Sequence, residues 1–149
     1  MKPEIFAENL IFPEGSRWKN GKLIFSDIFS NEVISFTEEG SKETVVKIDG
    51  LPVGLGWNQN NDLLINSLQE KKVLVFDGKT TKEYADIGAH ENNFINDMTT
   101  DESGRAYVGT VALESFNENI PIAPDNMPTF SSIMLVDTDG SVRRVADRM

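Results

Sequence analysis

The chain has 149 residues, 39 % of them hydrophobic, which suits one ordinary domain with a real core. Lysine and arginine number 14 against 24 aspartates and glutamates, and the formal charge of −10 sets the surface against phosphate backbones and so against nucleic acid as a partner. The absence of cysteine removes disulfides, thiolate catalysis and cysteine-held zinc or iron–sulfur sites, and no apolar run nears the roughly 18 residues of a membrane span.

The chain opens on Met1-Lys2-Pro3-Glu4 and Ile5-Phe6-Ala7-Glu8, which lack the apolar core of a secretion signal, so the expected location is cytoplasmic. The first unit follows. Trp18-Lys19-Asn20-Gly21-Lys22 leads through an Asn-Gly hairpin turn into Leu23-Ile24-Phe25-Ser26-Asp27, and Val33-Ile34-Ser35-Phe36 is a second apolar run. The same order returns with Trp57, Leu63-Leu64-Ile65-Asn66-Ser67 and Val73-Leu74-Val75-Phe76. A weaker third copy runs from Thr100 through Gly104-Arg105-Ala106-Tyr107-Val108-Gly109-Thr110 to Ile133-Met134-Leu135-Val136. The step from Trp18 to Trp57 is 39 residues and from Trp57 to Thr100 is 43. Glu39-Gly40, Asp77-Gly78, Ser103-Gly104 and Asp139-Gly140 punctuate the runs as turns, and helix signals are scarce.

A period of roughly 40–45 residues with four short strands per unit is the signature of propeller blades. The fold class is therefore all-β, a β-propeller, with blade one near 12–49, blade two near 50–91 and blade three near 92–149. Propellers close with about 4–8 blades, so three make half a ring. Ile5–Leu10 has no counterpart among the three units, and in a closed ring it would serve as the closing strand of the last blade. One segment breaks the period: Val108 to Ile133 is 25 positions, where Phe25 to Val33 is 8. This excursion, Ala112–Ser131, holds Pro121, Pro124 and Pro128 and reads as a loop, either a functional lid or a solvated excursion.

The repeat points to a site. Four residues before Trp18, Trp57 and Thr100 stand Glu14, Val53 and Asn96. First strands line the central channel of a propeller, so equivalent positions converge on its axis. Glu14 and Asn96 would bring one carboxylate and one amide oxygen to a common point, and oxygen donors suit a hard cation, Ca²⁺ or Mg²⁺. Two ligands are few, since Ca²⁺ takes about 6–8 oxygens. Gly54-Leu55-Gly56 lacks the third glycine of a dinucleotide loop and reads as a channel-facing turn, and Asp137-Thr138-Asp139-Gly140 reads as a hairpin turn rather than a calcium loop. His90 is the lone histidine and stands shortly before Asn96, either a substrate contact or a surface loop residue. Trp18 and Trp57 read as anchors of blade packing.

Phe12-Pro13-Glu14-Gly15-Ser16-Arg17-Trp18 with Leu23-Ile24-Phe25-Ser26-Asp27, and Ile95-Asn96-Asp97-Met98 with Gly104-Arg105-Ala106-Tyr107-Val108-Gly109-Thr110, resemble the SMP-30/gluconolactonase/luciferin-regenerating-enzyme family. The resemblance implies a six-bladed propeller with a divalent metal in its channel, calcium first and zinc or magnesium as alternatives, and hydrolysis of lactone or ester substrates. It implies that Glu14 is a metal-ligand carboxylate, that Asn96 contacts metal or substrate, and that Asp97 stands behind them and orients them. Phe94 departs from the pattern, since several animal members carry there an arginine that binds a sugar acid. The family's remaining ligands, another Asn and an Asp, belong to later blades. The expectation is a metal-dependent hydrolase whose ring is completed by a second copy or by a second-half chain. The alternative is a catalytically inactive half-propeller fragment or interaction module. No general base is assigned.

Overall fold

The computed structural model describes residues 3–111 and 131–147. Twelve strands form three antiparallel four-stranded sheets among these residues. The first contains β1 (Pro13–Lys19), β2 (Lys22–Asp27), β3 (Glu32–Thr37) and β4 (Lys42–Lys47), paired in chain order. The second contains β5 (Pro52–Trp57), β6 (Leu63–Ser67), β7 (Lys72–Phe76) and β8 (Thr81–Asp86). The third contains β9 (Phe94–Thr100), β10 (Ala106–Val111), β11 (Ile133–Val136) and β12 (Val142–Ala146). The single helical element among the described residues is a 3₁₀ turn, Ile28–Ser30. The bulk of the Ala112–Ser131 excursion lies outside the described residues.

The turns are those the side chains dictate. Asn20 (φ 52°) and Gly21 (φ 73°) are both left-handed, which the two-residue hairpin between Lys19 and Lys22 requires. At the five-residue equivalents a side-chain acceptor does the work. Asn58 Oδ1 accepts from the amides of Asn60 and Asp62, and Asp101 Oδ1 accepts from those of Ser103 and Arg105.

Register makes the three units superimposable. Trp18 pairs with Leu23, Trp57 with Leu63 and Thr100 with Ala106. Each first strand then carries an extra residue a few positions earlier, between Glu14 and Arg17, between Pro52 and Leu55, and between Ile95 and Met98. These bulges bend each first strand at its start. Pro13, Pro52 and Ile95 stand opposite Asp27, Ser67 and Thr110, so Glu14, Val53 and Asn96 follow at one repeat position.

The blades pack in sequence, β5 on β1 and β2, and β9 on β5 and β6. Val33, Leu55, Ile65 and Leu74 form the core between blades one and two, and Leu64, Val73, Ile95, Val108 and Met134 that between blades two and three. Trp57 packs into the first of these, with the Lys19 ammonium 4.1 Å from its ring centroid. Trp18 is 58 % exposed, so the expectation of two packing anchors holds for Trp57 alone. The reason is positional: Trp57 faces the preceding blade, and at Trp18 the described residues include no preceding blade.

Residues 5–10 form no strand in this chain. Ala7 and Leu10 pack against Phe25, Ile34 and Phe36, and the ring of Phe6 lies 5.9 Å from that of Phe36. Where this lead enters β1, the buried carboxylate of Asp27 accepts the amides of Ile11 and Phe12, the latter at 2.7 Å.

Candidate functional site

The first strands approach at glycines. A Cβ on Gly15 would collide with the carbonyl of Val53, and one on Gly54 would lie 2.5 Å from the Met98 nitrogen and 2.8 Å from the Asn96 oxygen. Two polar side chains complete these joints from the second strands. Ser26 Oγ donates to Val53 O at 2.8 Å, and Asn66 Nδ2 donates to Asn96 O at 2.7 Å. Ser26 and Asn66 occupy the same repeat position, beside Val33 and Val73 in the ladder. The backbone of Val53 and of Asn96 is thus gripped in the same way, by a glycine on one side and a donor on the other.

The residues of the repeat position meet at one cleft of about 490 Å³. Glu14, Val53 and Asn96 all line it. Its other walls are apolar: Phe12, Ile28, Phe29, Leu51, Leu68 and Val111. Phe12 and Phe29 meet edge to face with centroids 5.7 Å apart. An apolar cleft carrying one carboxylate and one amide is the usual make-up of a small-molecule site. Among the described residues the Glu14 carboxylate accepts only a local bond, from the Gly15 amide to Oε2 at 3.3 Å.

The other two candidate residues stand apart from this cleft. Asp97, next in sequence to Asn96, turns its Oδ1 to Arg17 Nη2 at 2.6 Å and to the Met98 amide at 2.8 Å. Its partner is therefore a cation from blade one, rather than Glu14 or Asn96. His90 is exposed in the loop between β8 and β9, where its amide donates to Ile87 O, and it is not among the residues lining the cleft. Within that loop Glu91 is buried and accepts from Arg144 Nη2 at 3.0 Å. Burial pushes its carboxyl up, but bonds from the Asn93 amide, the Ser132 hydroxyl and Arg144 outweigh that and hold it below its ordinary value.

Sequence reasoning did not single out Arg17. Its guanidinium donates through Nε to Leu55 O at 3.0 Å, through Nη1 to Ser16 O at 2.8 Å, and through Nη2 to Asp97 and to Met98 O. The available signal was its position, one residue before Trp18, where the equivalents are Gly56 and Thr99.

As a cation site the donor set fits in kind, since a carboxylate and an amide offer hard oxygens. It is partial in number: among the described residues no group of three or more His, Cys, Asp or Glu could hold a metal. Among them too, no helix is long and apolar enough to cross a membrane.

The model of the SMP-30/gluconolactonase/LRE-like region matches residues 12–149. The chain belongs to that family. No curated protein sequence matches it. Among solved structures, a gluconolactonase from Xanthomonas campestris superposes with a TM-score of 0.73 at 17 % identity, over 95 % of this chain and 50 % of that one. A luciferin-regenerating enzyme gives 0.72 at 16 %, over 94 % and 47 %. Regucalcin from Agrobacterium tumefaciens, a calcium-binding protein, gives 0.70 at 18 %, over 94 % and 44 %. At these identities the likeness shows the fold, an all-β propeller. The chain spans about half the length of the structures it matches.

Proposed function

We propose that this family member supplies half of the divalent-cation site of a lactonase-type hydrolase, with Glu14 and Asn96 as its ligands and calcium as the first-choice ion. The observation that carries the reading is the single cleft lined by all three equivalent residues, two of them oxygen donors. The gluconolactonase and the calcium-binding regucalcin among the structural relatives point the same way. The ring is completed by a second copy or by a second-half chain, which adds the missing oxygens.

Glu14 contributes the charge that holds the ion, because a hard cation is bound mainly by ligand charge. Asn96 contributes a neutral oxygen, toward the ion or toward substrate, from a backbone fixed by Asn66 and Gly54. The apolar walls would seat the carbon skeleton of a lactone or ester and thin the water around the carbonyl, which strengthens each charge interaction there. The bound ion would polarise the carbonyl and lower the pKa of an attached water. His90, in the loop preceding β9 and outside the lining of the cleft, is the remaining candidate for a substrate contact.

The test is hydrolysis of simple lactones by size-fractionated protein, with added calcium and after chelation. Activity confined to the associated species and abolished by chelator is the expected result. Inactivity of every species, with calcium and with a supplied second half, points instead to a catalytically inactive half-propeller or interaction module.

A further inference from the structure

We propose that Arg17 is a positioning residue that sets the β9 bulge carrying Asn96 against the β1 strand carrying Glu14. The proposal rests on the reading of these two residues as the oxygen donors of the cleft. They are two blades apart, and Val53, at the same position of the blade between them, offers no polar group. Their spacing is therefore relayed through the packing of β1 on β5 and of β5 on β9. Arg17 supplies a direct link. It leaves β1 three residues after Glu14, crosses Leu55 O of β5, and ends on Asp97 and Met98 of β9, the two residues after Asn96.

The chemistry of the acceptors explains why an arginine stands there. Three backbone carbonyls and a carboxylate are met by one planar fork of donors, which a lysine ammonium has too few directed N–H groups to reproduce. The link also lands where the ladder is weakest. Asn96 and Asp97 together face the single residue Gly109, so regular pairing with β10 lapses at the site residue. Arg17 holds this bulge by its side chain through Asp97 and by its backbone through Met98. The Arg17 side chain is 24 % exposed and that of Asp97 54 %, so the carboxylate end of the link is open to water and the bonds to Leu55 O and Met98 O are the sheltered ones. Asp97 is thereby committed to the strand link and is a positioning group as well.

The test is amide hydrogen exchange of the full chain, read peptide by peptide without added metal, followed by CaCl₂ titration. Wild type is compared with Arg17→Met, which keeps the apolar stem, and Arg17→Lys, which keeps the charge. In Arg17→Met, exchange over residues 94–98 should rise about tenfold while β7 and β8 keep their protection. Arg17→Lys should recover part of that protection, and calcium affinity should fall in the same order. Unchanged exchange over 94–98, or a rise spread evenly over all three blades, overturns the proposal. Local loosening of 94–98 in a protein whose wild type binds no calcium upholds the link between strands and rejects the cation reading alone.

Discussion

Asp27 carries its charge into the interior at 2 % exposure because two amides, those of Ile11 and Phe12, are aimed at it. Removing an acceptor there orphans both donors, so Asp27→Ala should cost about 2–3 kcal/mol, read as a lowered urea midpoint. Glu91 makes a pH-dependent contribution. Its carboxyl is held below the ordinary value of 4.5, so its stabilising bonds are fully present above that value and are lost as pH falls through the lowered one. Urea midpoints followed downward from neutral pH should fall less steeply in Glu91→Gln than in wild type. A matching acid limb in the two proteins would mean that other carboxylates set it. At this scale the sequence was only partly legible. Counting back from Trp18, and from Thr100 at the same place in the third unit, led to Glu14 and Asn96, because repetition converts sequence position into spatial position. Arg17 was hidden, since its four acceptors are carbonyls and a carboxylate from three strands, and no spacing rule brings them together.

At the scale of strands and blades, the joints follow one pattern twice and then change it. Gly15 with Ser26, and Gly54 with Asn66, grip the next blade at Val53 and Asn96. In blade three the corresponding residues are Asp97 and Gly109, with the side chain moved to the other strand. This difference gives a paired prediction. Gly54→Ala forces a methyl group into the β9 backbone and should cost about 3 kcal/mol or more. Among the described residues Gly109→Ala meets only Asp97 O, at an ordinary 3.6 Å, and should stay within about 1 kcal/mol of wild type. Equal costs, measured by chemical denaturation, would deny that close approach at Gly54 defines the joint. The strands themselves were readable from short apolar runs and Asn-Gly or Asp-Gly turns. The bulges were not, because an inserted residue leaves the apolar pattern almost intact while changing what each side chain faces.

For the whole molecule, the outer face of blade one matters most. Phe25, Ile34 and Phe36 would be open there without the cover of residues 5–10. Deleting residues 1–10 should therefore raise hydrophobic-dye binding and self-association, checked by fluorescence and light scattering. A truncated protein that stays monodisperse and binds no dye would show that the segment does not act as a cover. The fold, three consecutive blades, was fully implied by the period of the sequence. What the lead segment does was not, since Ile5–Leu10 carries apolar residues suited equally to a strand and to an irregular cover.

The central claim is that Glu14 and Asn96 form the cation-holding part of one cleft, and its most direct test is calorimetric titration with calcium. Wild type, in whichever assembly closes the ring, is compared with Glu14→Gln, which preserves size and removes the charge. The substitution should weaken binding about tenfold or more, because charge on the ligand dominates affinity for a hard cation. Calcium binding of equal strength in the two proteins would contradict it.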